Sequence, residues 1–117
     1  MPPQQKVREF VLQDLYSLSM GGEASLAVER AMEIFSLVDR LDEKIATASE
    51  AYALERIDLL DRNILRMSLF EFLENQVEPD VLVGEALRLS RKFSTKEAGR
   101  FIHAMLAALF ALPARKE

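Results

Sequence analysis

The chain has 117 residues, enough for one domain around a single hydrophobic core; half of them are apolar and 29% are charged, the profile of an ordinary globular protein. It has no cysteine and one histidine, His103, which excludes a disulfide framework, a cysteine zinc site and any multi-histidine metal cluster. The net charge of -4 hides an asymmetry: residues 1–80 carry 8 Lys/Arg against 16 Asp/Glu, whereas residues 81–117 carry 7 against 3, so an acidic part and a basic part would attract different partners.

No apolar run approaches the roughly 20 residues that a bilayer span requires. The opening "MPPQQKVREF" has no apolar stretch behind a basic start, as a signal peptide would. A cytoplasmic location away from membranes is therefore expected. The periodicity is helical nearly everywhere, punctuated by Pro2-Pro3, Gly21-Gly22, Pro79 and Pro113. The first predicted helix runs from about Gln4 to Met20, with Val7, Phe10, Val11, Leu15 and Leu18 on one stripe, and Gly21-Gly22 stops it. The second, about Glu23 to Leu37, is expected to bury Leu26, Ala27, Ala31, Ile34 and Phe35. The stretch "DRLDEKIATASEAYALERI" predicts two short helices, around residues 41–48 and 50–56.

Asp58 then reads as the N-cap of a helix from Leu59 to Glu74, with Asp61 favouring its positive end. Pro79 suits the first turn of a helix over 79–93. "STKE" offers Ser94 as a cap and Glu97 as its capping-box partner for a last helix to about Leu112. Six or seven helices with short connections make an all-α bundle.

The helix over 59–74 contains an anomaly, because Arg66 sits among Ile64, Leu65, Leu69, Phe72 and Leu73, which spread apolar surface well beyond one stripe. An arginine enclosed there needs a carboxylate, since an unpaired buried charge costs several kcal/mol. Glu71 lies on the same helix and Glu85 on the next; the expectation is a cross-helix pair between Arg66 and Glu85 that fixes how the two helices dock.

Arg88, Arg91 and Lys92 share one face of their helix by i, i+3, i+4 spacing, opposite Leu82, Ala86, Leu89 and Phe93. Lys96, Arg100 and His103 line the outer face of the last helix in the same way. These residues could track phosphates, with Phe101 or Tyr16 available to stack on bases. The plainer alternative is a solvated basic face with Phe101 packed in the core. His103, alone on its helix, reads as a surface residue rather than a ligand or catalyst. No nucleophile–base pair, glycine-rich phosphate loop or paired-carboxylate spacing stands out, and no cofactor is expected.

Four segments in order carry a family resemblance. "LERIDLLDRNILRMSLFEFL" (54–73) resembles the signature helix of the NusB family of bacterial transcription antitermination factors. "PDVLVGEALRLSRKF" (79–93) is similar to that family's Asn-Glu-Ala-x-x-Leu-Ala-Lys-x-Phe helix, and "GRFIHAML" (99–106) to its Lys-Phe-Val-Asn-x-Leu-Leu segment. "REFVLQDLYSL" (8–18) matches its first helix, Leu-Tyr pair included. The resemblance implies a single domain over 1–117 built of two small helical subdomains. It also implies an adaptor that binds boxA-type RNA with the ribosomal protein NusE and helps RNA polymerase read through ribosomal RNA operons.

The resemblance maps the RNA surface onto Arg8, Gln13, Glu97 and Phe101 and the ribosomal-protein surface onto Tyr16, Glu55 and Asp61. Three departures stand out. The family's arginine-rich N-terminal arm is reduced to Lys6 and Arg8, Gly84 and His103 replace asparagines, and the chain is shorter between the second and third helices. A thin arm makes few phosphate contacts, so a reduced member acting as a protein-interaction module with little RNA affinity is the alternative. An acid-based nuclease is a third reading, from another class. The expected state is a monomer or homodimer.

Overall fold

Six α-helices and one short 3-10 helix, with no strand, make up the described residues, 3–49 and 53–111, of the computed structural model. In order they are α1 (Gln4–Ser19), α2 (Val28–Ser36), α3 (Val38–Ala48), the 3-10 helix (Leu54–Arg56), α4 (Leu59–Glu74), α5 (Pro79–Phe93) and α6 (Ala98–Phe110). The all-α class expected from periodicity is the class observed.

α4 is the axis, packing against each of the other five α-helices. Its sequence explains why. Ile64 and Leu65 are fully buried, Leu69 and Met67 nearly so, and Phe70 and Phe72 follow, so apolar side chains leave the helix in several directions and each needs a neighbour. Leu73 departs from that pattern, at 43% exposure. One buried cluster joins these residues to Leu12 and Leu15 of α1, Ile34 of α2, Ile45 of α3, Leu89 of α5, and Ile102 and Leu106 of α6. The Phe72 and Phe110 rings stack at 4.2 Å, holding the end of α6 on α4.

Local chemistry sets the boundaries. α1 ends in a Schellman arrangement: Gly22 donates its N–H to the Ser17 carbonyl and Gly21 to that of Leu18, with Gly21 at φ 89°. α4 ends at Asn75, left-handed at φ 59°, a conformation asparagine tolerates better than most residues. α2 begins at Val28 rather than near Glu23. Buried Asp14 of α1 accepts the backbone N–H groups of Ser25, Leu26 and Ala27, at 2.6 to 3.2 Å, and holds that segment as a tethered turn. Leu26 consequently stands half exposed instead of entering the core.

The capping box before the last helix is also absent. Ser94 donates its hydroxyl to Asp61 Oδ1 at 2.6 Å, Thr95 Oγ1 accepts the Ala98 N–H, and α6 starts four residues after Ser94. Of the short helix expected over 50–56, residues 50–52 lie outside the described residues and Leu54–Arg56 form the 3-10 helix.

Arg66 is enclosed, 6% exposed, yet its partner is not Glu85. Its Nε and Nη2 donate to the two carboxylate oxygens of Asp42 on α3 at 2.8 and 2.7 Å, and Nη1 donates to Asn63 Oδ1 at 2.8 Å. The fork pins α3 to α4. Glu85, on α5, serves Arg8 and Arg88 instead.

Candidate functional site

The seam between α1, α4 and α5 holds a chain of charges. Arg8 is buried, and its guanidinium grips Glu71 of α4 with two bonds, 2.8 and 2.9 Å, while Nη1 reaches Glu85 of α5 at 3.1 Å. The bonds to Glu71 outweigh the cost of burial and raise the Arg8 pKa above its ordinary value. Arg88 donates to both oxygens of Glu85, to the Gln5 carbonyl and, at 2.7 Å, to Glu9 Oε2. The other Glu9 oxygen takes Lys92 at 3.0 Å and Lys6 at 3.5 Å. Those bonds, from Arg88 foremost and then Lys92, hold the Glu9 carboxyl at a pKa of about 2.

This arrangement divides the basic residues singled out in the sequence. Arg8, Arg88 and Lys92 are tied to carboxylates, and Arg8 is buried beneath the surface. Arg91, Lys96 and Arg100 are exposed and make no ion pair among the described residues. Lys96 belongs to the turn before α6 rather than to the helix; with Glu97 and Arg100 it lines one shallow depression. His103 is exposed one turn further along α6.

Two openings lie beside these charges. A groove of about 520 Å³ is lined by Gln13, Tyr16, Asp58 and Phe93, among others, with Tyr16 42% exposed on its rim. A cleft of about 310 Å³ is lined by Arg56, Asp58, Asp61, Thr95, Glu97 and Phe101. Asp58 borders both, and Glu97 borders both the cleft and the basic depression. The structure thus places Tyr16 and Gln13, Phe101 and Glu97, and Arg100 around three hollows, each sharing a lining residue with the next. Phe101 is half buried, with part of its ring in the core and part in the cleft. Glu55 is exposed, whereas Asp61 is buried beneath Ser94. Burial raises the Asp61 pKa, the Ser94 hydrogen bond partly reverses the shift, and Asp58 adds to it.

Glu9, Glu71 and Asp42, which decide what the arginines do, carry no local signal of it, because their arginine partners lie 24 to 79 residues away. Asp14 had one: an acid inside the apolar stripe between Val11 and Leu15 must be satisfied by something. Among the described residues no group of three or more His, Asp or Glu could hold a metal ion, and no helix is long and apolar enough to cross a membrane.

Comparison with known proteins follows the same lines. The model of the NusB family matches residues 20–110. The chain is 34% identical to the transcription antitermination protein NusB of Chlamydia pneumoniae, covering 92% of this chain and 80% of that protein. It is 33% identical to the protein of that name from Dehalococcoides mccartyi, covering 89% of this chain and 87% of the other, and 36% identical to that of Chlamydia trachomatis, over 96% and 80%. The solved structure of T. maritima NusB superposes with a TM-score of 0.79 over 93% of this chain and 91% of that one; at 20% identity it speaks for the fold.

Proposed function

The chain belongs to the NusB family, and from that premise we propose that it is an RNA-binding adaptor which, with the ribosomal protein NusE, engages boxA-type RNA and helps RNA polymerase transcribe ribosomal RNA operons. Its relatives bear the name of transcription antitermination proteins, and it is not an enzyme. Its place of action is the cytoplasm, on nascent RNA within the RNA polymerase antitermination complex.

The observation that carries the RNA reading is the meeting, at Glu97, of the Phe101 cleft with the depression lined by Lys96 and Arg100. An unstacked base can lie against Phe101 while Lys96, Arg100 and Arg91 hold the phosphates on either side. Glu97 would repel a phosphate but can accept a hydrogen bond from a base amino group. On the other flank, Tyr16, Glu55 and Asp58 at the groove suit a basic ribosomal protein, with Asp61 adding its charge from below, while Gln13 of the same groove is free to bond RNA. The described part of the RNA surface is thin, so the ribosomal partner supplies charge and RNA binding is strongest for the pair.

The test is RNA affinity against salt for a boxA-like RNA, with and without purified NusE. Neutralising Arg91, Lys96 and Arg100 to glutamine should lower the log–log salt slope by about one unit at most for each phosphate left without its cation. Coincident curves would reduce these residues to a solvated face. No binding in any combination would favour the second reading, a protein-interaction module, which the capture of Arg8, Arg88 and Lys92 by carboxylates supports.

A further inference from the structure

Three cations from two helices converge on one carboxylate near the surface. Glu9 Oε2 accepts from Arg88 Nη1 at 2.7 Å, and Oε1 faces Lys92 Nζ at 3.0 Å and Lys6 Nζ at 3.5 Å. That is the donor set of a phosphate site: one guanidinium and two ammonium groups, arranged on two oxygens of one anion. The lysine side chains are half exposed, at 51% each, so the cluster opens to solvent even though Glu9 itself is 5% exposed. Arg88 is already oriented by Glu85 and the Gln5 carbonyl, and does not depend on Glu9 for its direction.

We propose that Arg88, Lys92 and Lys6 form a phosphate-binding site that the chain fills with its own Glu9 carboxylate, which keeps this part of the basic surface off RNA. The two sources of phosphate, a free anion and an RNA backbone, meet the same donors. The charge balance explains why the site stays closed. With Glu9 in place, four cations (Lys6, Arg8, Arg88 and Lys92) face three carboxylates, and an incoming phosphate finds little net charge. Without Glu9, the same four face only Glu71 and Glu85, and Lys6 and Lys92 lose their partner. Glu9 competes at an effectively very high local concentration, because it is held on the same helix turn as Lys6. The consequence for RNA rests on the function proposed above; the anion site itself does not.

The experiment separates the two. Thermal unfolding of the wild type and of Glu9→Ala, which removes both the charge and the bulk, is followed against inorganic phosphate at constant ionic strength, with chloride as the control. The alanine variant should be stabilised by phosphate in the millimolar range, whereas the wild type should respond to phosphate and chloride alike. Adding Arg88→Gln to Glu9→Ala should abolish the response. Glu9→Gln, which keeps the bulk, serves where the alanine variant does not fold, and it should show a weaker response of the same sign. RNA binding with NusE present is measured in parallel. The variants should bind more tightly than the wild type, with a salt slope steeper by about one unit for each additional phosphate neutralised. Equal phosphate responses in wild type and variants would overturn the proposal. A phosphate response without any RNA binding would uphold the site and overturn the RNA reading instead.

Discussion

α4 is flanked by two seams, and each buries an arginine in different company. Toward α3, Arg66 depends on one carboxylate, Asp42, with Asn63 taking its remaining nitrogen. Toward α1 and α5, Arg8 holds two carboxylates, one shared with Arg88, and the chain of charges continues through Glu9 to Lys92 and Lys6 at the surface. The first arrangement adds a single ion pair to the apolar packing of Leu41 and Ile45 that docks α3. The second spreads its charges over several pairs, so that losing one member leaves the others compensated. Asp42 keeps 19% of its side chain exposed, but only the second seam ends in half-exposed lysines that an incoming ligand can draw away.

Breaking the isolated pair should have the largest effect. Arg66→Met leaves Asp42 uncompensated beside the core, and a loss of about 3–5 kcal/mol is expected from urea unfolding. Arg88→Met should cost about 1 kcal/mol, since Glu85 keeps Arg8 and Glu9 keeps Lys92. Glu85→Gln should destabilise through Arg8 and Arg88 while leaving the Arg66–Asp42 fork unaltered in a crystal structure of the variant. Equal losses for Arg66→Met and Arg88→Met would show that the network has no redundancy, and the comparison would collapse.

Acid should distinguish the network next. Burial pushes the Glu85 carboxyl up, but Arg88 and then Arg8 outweigh it, and its pKa ends below the ordinary value. Glu9 falls further, to about 2. A folded pKa below the unfolded one means that the stability these groups contribute is fully present above the ordinary value of 4.5 and is lost as pH falls toward about 2. The urea midpoint of the wild type should therefore decline through that window, and Glu9→Gln should decline less steeply. Parallel acid limbs for the two proteins would mean that Glu9 is held no better than a solvated glutamate.

These seams also show which parts of the molecule the sequence discloses. α1, α4 and α5 were legible nearly to the residue, because apolar spacing, Gly21-Gly22 and Pro79 act locally, whereas α3 begins three residues earlier than expected, at Val38, and α6 is shorter at both ends. That Arg66 must be enclosed was legible too, from the apolar residues on every side of it. Its partner was not: Glu85 and Asp42 are equally acidic, and the choice depends on which helix covers which face of α4. The start of α2 was hidden for a similar reason, since Asp14 acts across 11 to 13 residues on a backbone whose side chains read as helix. Among the candidate site residues, spacing placed Arg88, Arg91 and Lys92 on one face but could not show that Glu9 had claimed two of the three.

The smallest predicted effect concerns Asp61, a carboxylate with neither arginine nor lysine beside it among the described ion pairs. Its pKa is shifted opposite to that of Glu9: burial raises it, the Ser94 hydroxyl lowers it in part, and Asp58 raises it again. A raised folded pKa means that the folded state holds the proton more tightly than the unfolded state, so ionised Asp61 costs stability at neutral pH. That cost is relieved as pH falls through the folded value. Asp61→Asn keeps an acceptor for Ser94 and should be neutral or slightly stabilising at pH 7, by less than about 1 kcal/mol, with the gain shrinking on acidification. A buried charge retained at some cost fits the surface proposed for a basic partner, with exposed Glu55 in the same acidic stretch. Charge reversal at Glu55 together with Asp61→Asn should accordingly slow association with NusE and weaken it more at low salt than at high salt. Unchanged NusE affinity would leave Asp61 as a tether for Ser94 and nothing more; a clear loss of stability in Asp61→Asn would show that its charge serves the fold after all, as those of Asp42 and Glu71 do on the two seams.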